Sequence, residues 1–176
     1  MIAVIRAQTR PFSPRSLAPL AFVAGLLALL ALPAAAQQTS VPFGTETDSS
    51  APIQVQSDTL SVSQEDGSAV FEGNVLVEQD SMRMEAARVQ VIYDEDQSRI
   101  QRLEATGGVT LVSGEDAAEA ERADYDVDDG NVVMSGDVLL VRGPSTIQAE
   151  RMRINLDAGT ALMEGRVRTF LTQDGN

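Results

Sequence analysis

The side chains in this sequence that could do chemistry are almost all carboxylates. The 176 residues include 26 Asp and Glu and 13 basic residues, all of them Arg, with no His and no Cys. Without imidazole or thiol groups the sequence excludes Ser-His and Cys-His catalysis, disulfides and the usual zinc sites. Two chemistries stay open to carboxylates: glycoside hydrolysis by an acid pair, and calcium binding. A formal net charge of −13 argues against a nucleic-acid partner, because phosphates would be repelled.

One stretch, Asp124 to Gly130, has the alternating Asp residues of a calcium loop. Its glycine comes one place late, and Ser135 stands where the loop needs a bidentate Glu. We therefore reject an EF-hand and predict the polar face of a strand. A polysaccharide-active enzyme would need two acids about 5–9.5 Å apart in a cleft, and the alternation described below places no acid inward. The sequence predicts no catalytic residue, no metal site and no cofactor.

Arginine is concentrated near the C-terminal end, where Arg151, Arg153, Arg166 and Arg168 fall at outward positions. Guanidinium groups there could bind lipid phosphates or an acidic neighbouring subunit. A solvated face is the simpler interpretation, because exposed arginines need no partner.

The first 36 residues have the pattern of a secretory signal peptide. Three arginines precede thirteen uninterrupted apolar residues, Leu20 to Leu32, and small residues follow at 34–36. Thirteen is fewer than the ~20 residues that span a bilayer, so we expect cleavage between Ala36 and Gln37. An uncleaved segment would instead tether the protein to the membrane.

The remaining chain divides by composition. Residues 37–51 are polar, with few apolar side chains to offset the entropy of ordering, and are predicted to be a flexible leader. The folded domain is predicted at 52–171, followed by a short tail at 172–176.

From residue 52 onward apolar and polar residues alternate, which indicates strands with one dry and one wet face. A motif of apolar residue, polar residue, glycine, any residue and valine occurs four times. Its glycines are 34, 29 and 29 residues apart, at Gly73, Gly107, Gly136 and Gly165. Repeats of this length cannot bury their own apolar faces and must stack. Hairpin-length turns are predicted between strands at 64–68, 94–98, 128–131 and 157–159. We therefore predict an all-β fold, an antiparallel β-jelly roll of four repeated strand units; a parallel β-helix is the alternative.

The alternation also assigns an inward apolar face. By parity the four glycines fall on this side, where they either bend the sheet or keep room free inside. The large inward residues either fill a core or line a groove for flexible apolar chains, where each buried methylene contributes about 0.8 kcal/mol. They are Leu60, Val62, Phe71, Val75, Val77, Val89, Val91, Leu103, Val109, Leu111, Tyr125, Val127, Met134, Val138, Leu140, Met152, Ile154, Met163 and Val167.

Two segments resemble the OstA-like domain family of LptA-type lipopolysaccharide-transport proteins. They read Pro52-Ile53-Gln54-Val55-Gln56-Ser57-Asp58 and Phe71-Glu72-Gly73-Asn74-Val75-Leu76-Val77-Glu78-Gln79, and the similarity covers about Pro52 to Leu171. The resemblance implies a periplasmic β-jelly roll that shields the lipid A acyl chains of lipopolysaccharide in the groove between two sheets. Such a protein carries the lipid from the inner to the outer membrane, and no bond is made or broken.

The resemblance also implies partners. These are LptC-like and LptD-like domains joined by edge-strand pairing, and further copies of the chain joined head to tail. This sequence departs from better-known members in lacking Lys, in being more acidic and in having no long basic tail. The departure bears on how the chain joins its outer-membrane partner.

Three other interpretations stay open. The chain could be a membrane-tethered LptC-like component of the same pathway, a structural polymer with a packed interior and no ligand, or a β-solenoid enzyme acting on polysaccharide. A solid inward lining would favour the polymer.

Overall fold

The alternating pattern forms strands throughout the part of the chain that the structure describes. The structure, a computed structural model, describes residues 40–63 and 67–171. Those ranges contain no helix and eleven strands: β1 Val41–Pro42, β2 Gln54–Gln56, β3 Thr59–Ser63, β4 Ser68–Gln79, β5 Met82–Tyr93, β6 Ile100–Ser113, β7 Asp116–Asp126, β8 Asn131–Arg142, β9 Ser145–Asn155, β10 Thr160–Glu164 and β11 Arg168–Phe170.

Strands that follow one another in the chain are mostly neighbours in one sheet. Its order is β1-β10-β9-β8-β7-β6-β5-β4-β2, with β3 also paired to β4 and β11 to β9. All pairings are antiparallel, which confirms the predicted all-β antiparallel jelly roll and excludes the parallel β-helix. Strands β4 to β9 have 11 to 14 residues each, so the central repeats are hairpins of long strands.

The long strands are bent at one level by β-bulges that the glycine motif creates. At Gly107 and Gly108 the φ values are 88° and 86°, and each other copy also has two consecutive residues with positive φ. The register shifts there, because this pair opposes the single residue Ala87 on β5 and Glu121 on β7. Such a bulge bends the strand and increases its twist. We call the four pairs the bend line: Gly73–Asn74, Gly107–Gly108, Gly136–Asp137 and Gly165–Arg166.

The bend line shows which role the glycines have. A Cβ added to Gly107 would lie 2.7 Å from the Ala87 Cβ, and one added to Gly136 would lie 2.5 Å from Glu121 Oε2. Ala87 and Glu121 are exposed, so the glycines keep no room free on the apolar side. Their assignment by parity to that side is wrong, because a two-residue bulge interrupts the period of two.

The bend line divides the sheet into two leaves. Leaf A ends at the turns 94–99, 127–130 and 156–159, and leaf B ends at the turns 80–81, 114–115 and 143–144. The inner residues of both leaves are almost fully buried, with Leu103 of leaf A 1% exposed and Leu111 of leaf B 0% exposed. Within the described residues no helix or second sheet covers them. Each leaf therefore covers the other, and the core lies between the halves of one folded sheet.

The predicted turns at 94–98, 128–131 and 157–159 all fall at the ends of leaf A. The turns of leaf B were not predicted from the sequence. These turns have only two residues each, so the alternation of apolar and polar residues is hardly interrupted. A further predicted turn at 64–68 lies mostly outside the described residues.

The N-terminal part of the domain differs from its prediction. Residues 40–51 belong to the predicted flexible leader, yet β1 pairs with β10, and Phe43 and Thr47 are 1% and 2% exposed. Two buried side chains and hydrogen bonds to distant turns hold the segment in place. The prediction used only the average polarity of residues 37–51, which reveals neither kind of contact. The predicted signal peptide, its cleavage site and the tail at 172–176 lie outside the described residues. The described ranges contain no helix of the length and apolar character that a membrane span needs.

Candidate functional site

The inner face of the folded sheet brings together most of the residues that alternation predicts to face inward. Three of them, Phe71, Val127 and Met163, are half-buried and pack against the core. The fully buried ones are Val75, Val77, Val89, Val91, Leu103, Val109, Leu111, Tyr125, Met134, Val138, Leu140, Met152 and Ile154. They form one apolar cluster that extends through both leaves.

Leu60 and Val62 have the predicted orientation without the predicted burial. Leu60 pairs directly with Phe71, and Val62 pairs with the buried Ala69. Because directly paired residues of antiparallel strands lie on one face, both side chains point to the inner side. They are nonetheless 54% and 68% exposed, since β3 is the edge strand of leaf A. The apolar inner face thus opens to solvent at this edge.

Val167, like Leu60 and Val62, lacks the burial expected from its inward assignment. It lies between β10 and β11, outside both strands, and is 49% exposed. The valines two residues after the glycine in the other three motifs, Val75, Val109 and Val138, are buried, so the bulge does not cause this exposure. Val167 is exposed because it lies next to β11, which is an edge strand.

A buried polar pair connects the two leaves inside the core. The Tyr125 hydroxyl of leaf A donates a 2.6 Å hydrogen bond to Gln79 Oε1 of leaf B, and the two residues are 0% and 1% exposed. Burial, together with the nearby carboxylate of Asp157, raises the pKa of Tyr125 to about 12. The hydroxyl is therefore protonated at neutral pH, as a donor must be. The role of Gln79 was not identified from the sequence, because the alternation of residues gives the face on which a side chain lies but not the residue that it contacts.

Asp116 corrects the expectation that no acid lies inward. It is 5% exposed and is the one buried acid among the described residues. Its Oδ2 accepts a 2.8 Å hydrogen bond from the Gly44 amide, and its Oδ1 lies 3.7 Å from Arg142 Nε. A buried carboxylate held by these partners, with no second buried acid beside it, lacks the acid pair that glycoside hydrolysis needs. In the part of the chain described, no group of three or more acidic side chains is placed to hold a metal ion.

The open side of the folded sheet, opposite the bend line, is crossed by residues 43–51. We call this segment the strap and the side it crosses the mouth. To leaf A, the Phe43 amide donates to the Gly159 carbonyl at 2.9 Å and the Thr47 amide donates to the Leu156 carbonyl at 3.0 Å. Both acceptors lie in the turn 156–159.

The strap also binds the turns of leaf B. The Gly44 amide contacts Asp116 as described, and the Thr47 and Ser81 hydroxyls share a 2.8 Å hydrogen bond. Gln79 Nε2 donates to the Ser49 and Ala51 carbonyls at 2.6 and 2.9 Å. The amide of Gln79 therefore joins the strap, leaf B and, through Tyr125, leaf A. A sequence signal for the strap was available only in Phe43, the one aromatic residue in the polar stretch 37–51.

The strap leaves part of the mouth uncovered. A cleft of about 430 Å³ lies between the end of the strap and the leaf A turns. Ile53, Ile100 and Val127, all half-buried, contribute apolar side chains to its wall. The mouth is thus open beside β2 and closed by Phe43 near β10.

The four C-terminal arginines are exposed, in agreement with their predicted outward positions. Arg153 Nε lies 3.1 Å from Glu164 Oε2, and Arg166 Nε donates to Glu150 Oε1 at 2.6 Å. Arg151 and Arg168 lie on the same outer face. The two ion pairs neutralise half of the cluster, which favours the solvated-face interpretation over an anion site.

A sheet folded along a line of bulges, with a continuous apolar interior, defines a class of β-jelly roll. The chain belongs to the family described as LptA/(LptD N-terminal domain) LPS transport protein, whose profile matches residues 54–160. The OstA-like resemblance of the sequence is thereby confirmed.

Two individual proteins are similar to the chain. An uncharacterized protein of Rhizobium meliloti (strain 1021) is 32% identical over 121 residues, which cover 64% of this chain and 65% of that protein. The crystal structure of LptH matches with a TM-score of 0.64 at 17% identity. The match covers 72% of this chain and 99% of that chain. LptH is described as the LptA-homologous periplasmic component of the lipopolysaccharide transport device of Pseudomonas aeruginosa. At that identity the match supports the fold alone.

Proposed function

We propose that this protein is a periplasmic component of lipopolysaccharide transport that holds the lipid A acyl chains between its two leaves. The observation that carries the proposal is the apolar inner face, which continues from the buried core to the exposed Leu60 and Val62 at the sheet edge. Family membership supports the same function. In this role the chain forms part of a bridge from the inner to the outer membrane and makes or breaks no bond.

The interior has the chemistry that acyl chains require. Each methylene moved from water into it contributes about 0.8 kcal/mol. Met82, Met84, Met134 and Met152 are among the largest fully buried side chains. Methionine side chains are flexible and polarizable, so they can repack around chains of variable shape. In the described residues the inner face has few hydrogen-bonding groups, which suits a ligand recognised by its apolar part.

The edges of the sheet suit the partners that the family suggests. At one end the unpaired edges are β2 and β3, and at the other they are β11 and the part of β10 beyond the two-residue β1. Free backbone groups on such strands accept an added strand. We propose LptC-like and LptD-like domains, and further copies of this chain, as the partners that pair there.

One observation favours a second candidate, a structural polymer without a ligand. The two leaves are in contact, and the large inner side chains are 0–2% exposed, so the interior as described is solid. A lipid carrier must therefore part its leaves to load, whereas a polymer needs no such motion.

Photo-crosslinking in cells distinguishes the two candidates. A photoreactive amino acid replaces Leu60, which faces inward at the open edge and tolerates a larger side chain because it is half exposed. Its matched control is the adjacent Ser61, which is exposed and faces outward. We expect adducts with lipopolysaccharide from position 60 and none from position 61.

Absence of adducts from both Leu60 and Val62, in a folded and exported protein, would eliminate the carrier and leave the polymer. A second pair of positions, inward Leu140 and outward Leu139, tests the core itself. The residues of this pair are identical in type and adjacent in sequence, so only the face differs.

A further inference from the structure

Together with the Tyr125–Gln79 hydrogen bond, the strap joins the two leaves on the side where they can separate. Among the described residues it is the segment that bonds to the end turns of both leaves. Thr47 illustrates this, because its amide binds the Leu156 carbonyl of leaf A while its hydroxyl binds Ser81 of leaf B. On the opposite side the leaves are continuous through the backbone of every long strand. Parting the leaves therefore stretches the strap and leaves the bend line connected.

The strap is held more weakly than the strands it crosses. Between β1 and β2 it has no strand pairing, and its backbone-to-backbone hydrogen bonds to other segments reach only the turn 156–159. Its other backbone bonds to other segments are to side chains, including those of Gln79 and Asp116 at strand ends. Thr45, Glu46, Asp48 and Ser50 are exposed, so few buried contacts oppose its release. Segments with few buried contacts and solvent-accessible hydrogen bonds open before the core does.

The N-terminal end of the strap is anchored by Phe43, which is buried in the core. Phe43 is 1% exposed and belongs to the same apolar cluster as the inner residues of both leaves. When the strap lifts, Phe43 leaves that cluster, and Gln79 loses the Ser49 and Ala51 carbonyls that its amide binds. An apolar ligand in the interior replaces the apolar contacts of Phe43. Water that enters the mouth accepts the hydrogen bonds of the Gln79 side-chain amide.

We propose that the strap is a displaceable closure, and that acyl chains enter sideways through the mouth when it is released. The cleft beside Ile53, Ile100 and Val127 is where the ligand first meets apolar surface. The solid interior is then the unloaded form of a carrier. This inference rests on the proposed function, since it specifies how the ligand of that function reaches its site.

A disulfide at the mouth, between the strap and leaf B, tests the proposal, because the chain contains no native Cys. Thr47→Cys with Ser81→Cys replaces two hydroxyls that are 2.8 Å apart and locks the strap to leaf B. The control, Asn131→Cys with Asn155→Cys, replaces two side chains in contact within leaf A, across the pair β8 and β9. Both variants carry the photoreactive residue at position 140, which is 0% exposed and therefore reports entry into the interior. They are incubated with purified lipopolysaccharide, oxidised and then reduced.

We expect the oxidised mouth variant to give at least about tenfold less adduct, because a smaller fraction of the protein is open and able to bind lipid. Reduction of the disulfide should restore the adduct yield. The control variant should crosslink equally in both states. Equal adduct from the oxidised and reduced mouth variant would overturn the strap inference and leave the proposed function intact. No adduct from the parent protein would overturn the proposed function, and the strap's role with it.

Hydrogen exchange of the unsubstituted protein provides a second measurement that does not depend on the variants folding. Adding lipopolysaccharide should speed exchange of the Gly44 and Thr47 amides, whose acceptors lie on opposite leaves. The Leu111 amide, in the middle of leaf B, serves as the internal control. Strap amides that keep their protection in the loaded protein would contradict release.

Discussion

The bend line and the mouth lie at opposite ends of the same strand segments and are built in different ways. The bend line consists of backbone conformations that recur in each glycine motif, with φ values from 41° to 88°. The mouth is closed by a single segment whose partners are up to 116 residues away in sequence, as with Phe43 and Gly159. At the bend line the two leaves are joined covalently, by strands that the repeated glycine motif bends. At the mouth they are joined by the hydrogen bonds and burial of a single segment, which can be released.

The contrast indicates why the two regions should respond differently to substitution. Damage at the bend line alters the geometry of neighbouring long strands, so it should lower the stability of the whole domain. Damage at the mouth removes contacts of one short segment, so its cost is limited by the free energy of releasing that segment.

The largest effect is expected from Gly107→Ala at the bend line. A methyl group there meets the Ala87 Cβ at 2.7 Å and must adopt a φ of 88°. Conformational strain and the clash together should lower the free energy of unfolding by about 3 kcal/mol. Chemical denaturation measures this loss.

Gly108→Ala is the matched control for that prediction. Its φ is 86°, yet an added Cβ has nothing within 4 Å. It should cost only the conformational part, about 1–2 kcal/mol. Equal losses at the two positions would show that the close approach to Ala87 contributes nothing.

Phe43→Ala should have the next largest effect. Burial of Phe43 would ordinarily predict a loss of about 3–5 kcal/mol, but the loss cannot exceed the free energy of releasing the strap, which is expected to be smaller. Hydrogen exchange should show the Thr47 amide deprotected while the Leu111 amide is unchanged. Phe170→Ala, at a residue that is 56% exposed, is the control and should change little. Uniform loss of protection in the core would contradict a releasable strap.

Tyr125→Phe tests the polar pair behind the mouth. The substitution leaves buried Gln79 Oε1 without its donor and should cost about 1–2 kcal/mol at neutral pH. It should also remove a pH dependence. Because the folded-state pKa is raised, the contribution of Tyr125 is complete below about pH 10 and is lost as the pH rises to about 12.

Alkaline unfolding of the parent and variant proteins measures both effects. The difference in stability between them should shrink between pH 10 and 12. Tyr93→Phe, the other tyrosine of the chain, controls for loss of a hydroxyl outside the pair. A difference that stays constant through this range would contradict the raised pKa.

The smallest effect is expected from Arg166→Ala, which removes an ion pair on the bend line without changing its glycine. The side chains of Arg166 and Glu150 are 83% and 54% exposed, so the pair should contribute about 0.5 kcal/mol or less. Thermal unfolding at low and high salt checks this value. A loss approaching that of Gly107→Ala would mean that the ion pair, and not the backbone, holds the bend.

Alternation along the chain was sufficient to predict most of the inner face, as the burial of Val75, Leu111 and Met134 illustrates. The errors have identifiable causes. The glycines were assigned to the inner face because the alternation was counted into a bulge, whose extra residue interrupts the period. Val167 is exposed because it lies outside the strands, next to the edge strand β11. Leu60 and Val62 have the predicted orientation but lie on an edge strand, and strand order decides which residues occupy an edge.

The sequence by itself determined the strands, the repeat and the position of the bend line, because these depend on side-chain period and on glycine conformations within a few residues. Only the tertiary structure decided that the two leaves close on each other, that Tyr125 reaches Gln79, and that residues 43–51 cross the mouth. The hydrogen bonds that make these connections join residues 28 or more positions apart in sequence. No local pattern encodes them, because their energy arises only when distant parts of the chain are packed together.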